Sequence, residues 1–350
     1  MEEQKPVFRA ASQIRKGFAI WKKISLALLT MFVVVSLCGC RRQATEEKVF
    51  DDGLKIVCTI FPEYDWVKQI LGERIDSVEL TLLLVNGADL HSYQPTIWDM
   101  KEIAEADLFL YVGGESDFWV EKALENGQNP DRKVLNLMEI LKDSIVEEER
   151  LEGMKEVRGH IHETDEEEYD EHVWLSLRNA EKVCQTVTEA LCTLDEAHSS
   201  LYQQNNEAYQ AKLRALDLKY IHTISQTQEP VLLFGDRFPF CYLAKDYGIT
   251  CYAAFAGCSA ETEASFSTIA FLAEKAGELR LPVVLAIDGS DQKIARTIAE
   301  NTRTRDQQVW MFDSMQSVSK ADMERGENYL SIMERNLEVL AKALEVRDGE

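Results

Sequence analysis

The chain is short of positive charge. Across 350 residues, 38 Lys and Arg face 61 Asp and Glu, a formal net charge of −23. A surface of that sign repels nucleic acid and anionic headgroups, so neither is a partner held by charge. It attracts cations without choosing among them, and most of it belongs to a solvated face. Several catalytic and zinc signatures are absent too. There is no His-Glu-x-x-His for a zinc protease, and Gly257-Cys258-Ser259-Ala260 is not a Gly-x-Ser-x-Gly elbow. Past residue 40 the cysteines are Cys58, Cys184, Cys192, Cys241, Cys251 and Cys258. None forms a Cys-x-x-Cys pair, which argues against a thiolate zinc knuckle. Cys251 and Cys258 are close enough in sequence to pair outside the cytoplasm, but spacing alone does not decide it. A long apolar run is also missing. Residues 24–37 are largely apolar, but fourteen residues of helix rise about 21 Å, too little for a ~30 Å hydrocarbon core.

That short run follows the basic residues Arg15, Lys16, Lys22 and Lys23, the pattern of a signal peptide. Its end, Leu37-Cys38-Gly39-Cys40, resembles a bacterial lipobox, which makes Cys40 the expected lipid-bearing first residue of the mature chain. Residues 1–39 carry six Lys and Arg against two Glu; removing their +4 from −23 leaves −27 for the rest. Polar residues 40–53 suit a flexible tether. From there the chain alternates apolar runs with helical patterns: strands at 54–60, 77–84 and 108–112, helices near 65–71 and 96–105. Such alternation implies a parallel sheet flanked by helices, with ligand sites beyond the carboxyl ends of the strands. Residues 177–225 contain neither Gly nor Pro and place Leu191, Leu194, Tyr202, Tyr209, Leu213, Leu216 and Tyr220 at helical spacing. They read as two helices broken near 195–199, the second about 25 residues long. A new strand–helix series follows, with apolar runs at 231–234, 283–287 and 309–312. The expected organisation is an α/β lobe at 54–176, connecting helices at 177–227 and a second α/β lobe at 228–350. Residues 146–171 hold twelve acidic against three basic residues around His160 and His162, too charged to bury and expected to form a mobile loop.

Two histidines stand in settings that suit metal binding. His91 lies in Gly87-Ala88-Asp89-Leu90-His91-Ser92-Tyr93-Gln94-Pro95-Thr96, and His172 in Asp170-Glu171-His172-Val173-Trp174. Imidazoles held at loop ends, far apart in sequence, are how a fold assembles a first-row metal site. The first segment, with Asp99-Met100-Lys101-Glu102-Ile103-Ala104 after it, resembles the metal-binding solute-binding lipoproteins of zinc and manganese ABC importers. Asp170-Glu171-His172-Val173-Trp174-Leu175-Ser176 resembles that family's second ligand motif. The resemblance runs from about Leu54 to the C-terminus.

The resemblance implies two α/β lobes with parallel-type sheets joined by one long rigid helix, and one metal held between them by two histidines and two carboxylates. Residues 233–238 occupy the place where the family offers His or Glu; here Asp236 is the available carboxylate. Asp313, in Met311-Phe312-Asp313-Ser314-Met315, matches the late ligand segment, and Asp288 at another strand end is the reserve. His160 and His162 would gather metal in the acidic loop. Two neutral imidazoles with two carboxylates leave a divalent cation uncharged and suit Zn²⁺ or Mn²⁺, with Zn²⁺ favoured by the Irving–Williams order. The resemblance further implies a monomer outside the cytoplasm of a bacterium, lipid-anchored to its membrane, that delivers metal to the permease of an ABC importer and is no enzyme. A secreted zinc-dependent hydrolase, and a structural or adhesin lipoprotein with a stabilising metal, are the competing readings.

Overall fold

A computed structural model describes residues 53–345, apart from 86–87, 126–128, 149–150, 153, 155–168 and 259–263. Residues 1–39, expected as a signal peptide, and Cys40, His160 and His162 lie outside the described residues. The first sheet is built from β1 (Lys55–Cys58), β2 (Glu79–Leu82), β3 (Leu108–Tyr111) and β4 (Lys133–Asn136), in the order β2-β1-β3-β4 and parallel throughout. Between the strands run α1 (Phe61–Leu71), α2 (Ile97–Glu105) and α3 (Trp119–Glu125), and α4 (Leu137–Ile140) follows β4. The second sheet repeats the order with β5 (Val231–Phe238), β6 (Thr250–Ala256), β7 (Val283–Ile287) and β8 (Gln308–Phe312), as β6-β5-β7-β8. Apolar runs such as Val283-Val284-Leu285-Ala286-Ile287, buried along their whole length, are what a sheet covered on both faces requires.

Two helices separate the sheets: α5 (Leu177–Leu194) and, after a 3₁₀ turn at Glu196–His198, α6 (Ser199–Ile224). Ser176 starts α5 by accepting the backbone N–H of Asn179 at 3.1 Å. In α6, 26 residues long, Tyr202, Tyr209, Leu213, Leu216 and Tyr220 are buried at the spacing of one helical face. Each such side chain contributes on the order of 1.5–3 kcal/mol when removed from water. The second lobe adds α7 (Cys241–Tyr247), α8 (Phe266–Glu278), α9 (Lys293–Asn301), α10 (Lys320–Glu324) and α11 (Tyr329–Glu345). The last of these returns to the first lobe: the Tyr329 backbone N–H donates to Asp65 of α1 at 3.0 Å, and its ring meets Trp66 edge-on at 5.2 Å. No described helix is long and apolar enough to cross a membrane.

Strand β5 is irregular. The pairing of β5 with β6 shifts register between Phe234 and Arg237. Gly235 lies within this bulge, and a Cβ there would come within 2.4 Å of the Ala295 Cα of α9. Only glycine admits that backbone approach, so no side chain can project from this point of β5.

Candidate metal centre

His91 sits on a 3₁₀ turn, Leu90–Ser92, that follows the loop after β2. Asp89 caps the turn: its Oδ1 accepts the His91 backbone N–H at 2.9 Å. His172 precedes the turn Val173–Leu175, which leads into α5. Its segment is stitched to the second lobe. Trp174 Nε1 donates to the Ser314 carbonyl at 3.0 Å, the Tyr329 hydroxyl to the Trp174 carbonyl at 2.7 Å, and the Tyr242 hydroxyl to the Asp170 carbonyl at 2.7 Å. His172 therefore stands at the seam between lobes rather than within the first lobe alone, and its side chain is wholly buried.

The two imidazoles face one another. His91 Nε2 and His172 Nε2 are 3.2 Å apart, and the ring centroids 5.1 Å apart. Both opposite nitrogens are committed elsewhere. His91 Nδ1 lies 2.8 Å from Ser116 Oγ and 3.4 Å from Glu171 Oε2; His172 Nδ1 lies 3.2 Å from Asp170 Oδ1. Glu171 is fixed in turn by the Ser116 backbone N–H at 2.9 Å and by the Ser116 hydroxyl. Burial pushes the Glu171 carboxyl up, but hydrogen bonds from His91 and Ser116 outweigh it and hold it below the usual carboxylate range. An imidazole whose Nδ1–H is taken by a carboxylate presents its Nε2 lone pair, the arrangement found behind metal-binding histidines. Two nitrogens about 2.05 Å from a tetrahedral ion are separated by roughly 3.3 Å, close to the observed spacing.

A third donor joins them. Cys258, just past β6, brings its sulfur into a group in which one ring nitrogen from each histidine and the thiol all lie within 4.8 Å of one another. Gly257 makes that approach possible: a Cβ there would sit 2.8 Å from the Phe238 carbonyl oxygen and 3.1 Å from His172 Cε1. The Cys258 backbone N–H donates to Glu148 at 2.9 Å. Burial pushes the Cys258 thiol well up, reinforced by the charges of Glu148, Asp170 and Glu171 and opposed by a hydrogen bond from the Glu171 backbone. Asp170 Oδ2 is buried without a hydrogen-bond partner and faces the same glycine.

Among the described residues this is the one such group, and the expected carboxylates are not in it. Asp236 Oδ1 accepts the Arg237 backbone N–H at 2.9 Å and its Oδ2 faces the Ile287 N–H at 3.5 Å. Asp313 Oδ1 accepts the Met315 N–H at 2.8 Å and its Oδ2 lies 3.5 Å from Arg335. Burial, then the charge of Asp288, raises the Asp313 carboxyl to about 6. Asp288 spends both oxygens on the turn after β8, accepting Ser314 and Ser317 N–H and hydroxyl groups. The expected convergence of Asp236 and Asp313 on the imidazoles is not seen in this structure, where both carboxylates accept backbone N–H groups. Asp236 and Asp288 instead line a cleft of about 500 Å³ with Asp89, His91 and Arg237. The residues missed were Cys258, Ser116 and the supporting roles of Asp170 and Glu171. The clue to Cys258 was its place after the carboxyl end of an apolar strand. Among the described residues no disulfide joins Cys251 to Cys258.

Two parallel-sheet lobes on a helical spine, with paired imidazoles at the seam, define a two-lobed α/β binding-protein architecture. The family model described as zinc-uptake complex component A, periplasmic, matches residues 56–343, and the chain belongs to that family. It is 30% identical over 322 residues to the zinc-binding lipoprotein AdcA of Streptococcus pneumoniae, covering 91% of this chain and 60% of that protein. It is 28% identical over 333 residues to the high-affinity zinc uptake system protein ZnuA of Bacillus subtilis, covering 94% and 99%. The chain thus spans about 60% of the length of the streptococcal relative and nearly all of the Bacillus one. The crystal structure of the Zn(II)-bound ZnuA-like domain of S. pneumoniae AdcA superposes with a TM-score of 0.65 at 27% identity, covering 84% of this chain and 99% of that domain.

Proposed function

We propose that this protein captures a divalent transition metal outside the cytoplasm, zinc in preference to manganese, and delivers it to the membrane permease of an ABC importer. The observation that carries this reading is the facing pair of Nε2 atoms at 3.2 Å, each imidazole backed by a carboxylate on its other nitrogen. The family membership and the zinc-named relatives support it. Metal is the cargo here, and the chain acts as a monomeric binding protein, not an enzyme. The lipobox-like Leu37-Cys38-Gly39-Cys40 supports anchoring to the membrane through lipid on Cys40. Two acyl chains give stable attachment where one is marginal.

Metal analysis of the purified protein, followed by competition of Zn²⁺ against Mn²⁺ with a chromophoric chelator, tests the reading. One ion per chain is expected, and His91→Ala or His172→Ala lowers zinc affinity by roughly a hundredfold or more, ~2.7 kcal/mol. A wild type that retains no zinc through gel filtration overturns it. Mass spectrometry of the mature N-terminus tests the anchor, with diacylglycerol on Cys40 as the expected finding.

A further inference from the structure

We propose that Cys258 is a metal ligand, so that the second lobe contributes a thiolate to the ion that His91 and His172 hold. This inference rests on the metal-binding reading above and deepens it. The second lobe has few other ways to reach the imidazoles. Gly235, in the bulge of β5, has no room for a side chain against the Ala295 backbone. Asp236 and Asp288 line the cleft, but backbone and hydroxyl groups hold their oxygens. Asp313 is held by the Met315 N–H and Arg335. The carboxyl end of β6 does reach the site, because Gly257 lets the chain pass within contact distance of His172.

The distances are short enough for ligation. A sulfur at ~2.3 Å and a nitrogen at ~2.05 Å from a tetrahedral ion are about 3.6 Å apart. The present separations are at most 4.8 Å, so a shift of roughly an ångström, within reach of a side-chain rotation, completes the contact. The buried, unpartnered Asp170 Oδ2 points independently to a cation here, since an orphaned carboxylate oxygen in a dry site calls for positive charge. On binding, the thiol loses its proton to solvent and the sulfur–metal bond forms, with no redox change. A two-imidazole, one-thiolate set is softer than imidazoles with carboxylates and favours Zn²⁺ over Mn²⁺.

Cobalt is the probe. The full-length wild type, kept reduced, is titrated with Co²⁺ and compared with Cys258→Ser. The expected result is a near-ultraviolet thiolate-to-cobalt charge-transfer band in the wild type that is lost in Cys258→Ser while cobalt still binds. In the same variant the preference for zinc over manganese is expected to fall at least tenfold. Zinc should also shield Cys258 from iodoacetamide in the wild type, a readout that needs no variant to fold. Stoichiometric cobalt without a charge-transfer band, together with unshielded Cys258, overturns the thiolate and leaves the transport reading intact. A wild type that binds neither cobalt nor zinc overturns both.

Discussion

Arg237 of the second lobe donates to Asp89 Oδ2 at 2.9 Å, while Asp89 Oδ1 accepts the backbone N–H of His91 at 2.9 Å. One carboxylate therefore ties the lobes together and fixes the turn that carries one of the two facing imidazoles. Burial works to raise the Asp89 carboxyl, but the Arg237 guanidinium and the His91 N–H more than offset it and hold it below its ordinary value.

Asp89→Ala removes both bonds and Arg237→Ala only one. The lost cap costs about 0.5–2 kcal/mol, and the partly exposed ion pair adds ~1 kcal/mol or less. The expected outcome is a lower melting temperature and weaker zinc binding for Asp89→Ala than for Arg237→Ala. Equal losses in both variants would mean that the interlobe pair alone matters.

Glu171→Gln and Asp170→Asn keep the shape of the site and remove the charge behind each imidazole. Loss of such a partner typically weakens metal binding 10–100-fold. Chelator competition is expected to show that loss for each variant with unchanged melting of the metal-free form within a few degrees. Unchanged zinc affinity in both would dismiss the proposed support.

Stability of the metal-free protein is expected to fall as pH rises from about 4 to 8. Burial raises Glu63 to about 8 and Asp117 to about 7, and Asp313 titrates near 6. These groups hold protons in the fold that the unfolded chain has released above about pH 4. Their contribution is full below that pH and is lost as pH rises through 6 to 8. Each tenfold change in proton affinity is worth ~1.4 kcal/mol. Urea midpoints are expected to be lower at pH 8.5 than at pH 5.5. Glu63→Gln, whose Oε1 is buried without a partner in the wild type, should narrow the gap.

The acidic segment is expected to be dispensable for tight binding. Glu147 and Tyr169 pair as an isolated antiparallel bridge, so the chain leaves and returns at one place. Glu148 must stay because it accepts the Cys258 N–H. Deleting residues 150–168 is expected to keep zinc affinity within about tenfold, ~1.4 kcal/mol. A far larger loss would assign His160 or His162 to the ion.

Much of this architecture was legible in residue order. Apolar runs at 283–287 and 108–112 could only be buried strands, and the stretch without Gly or Pro at 177–225 could only be long helices. His91 and His172 were legible because each sits in a local motif that survives without knowledge of the partner. The carboxylates were not. Asp236, Asp288 and Asp313 all lie at strand ends, as a ligand would, but a helper to backbone N–H groups lies there too, and sequence does not show where an oxygen's lone pairs go. Sequence offers Cys258 only as a neighbour that could pair with Cys251, because the bulge at Gly235 and the close pass of Gly257 exist only in three dimensions.

If the facing imidazoles hold an ion, the clamp on the His172 segment bears on the timing of its exchange. Of the three donors, only His91 borders the cleft, while His172 is pinned by Trp174 and Tyr329 to elements of both lobes. The donor that borders that cleft is carried on the three-residue turn Leu90–Ser92. Loosening that turn, as Asp89→Ala would, is expected to speed departure more than arrival, so the dwell time of a bound ion shortens along with its occupancy.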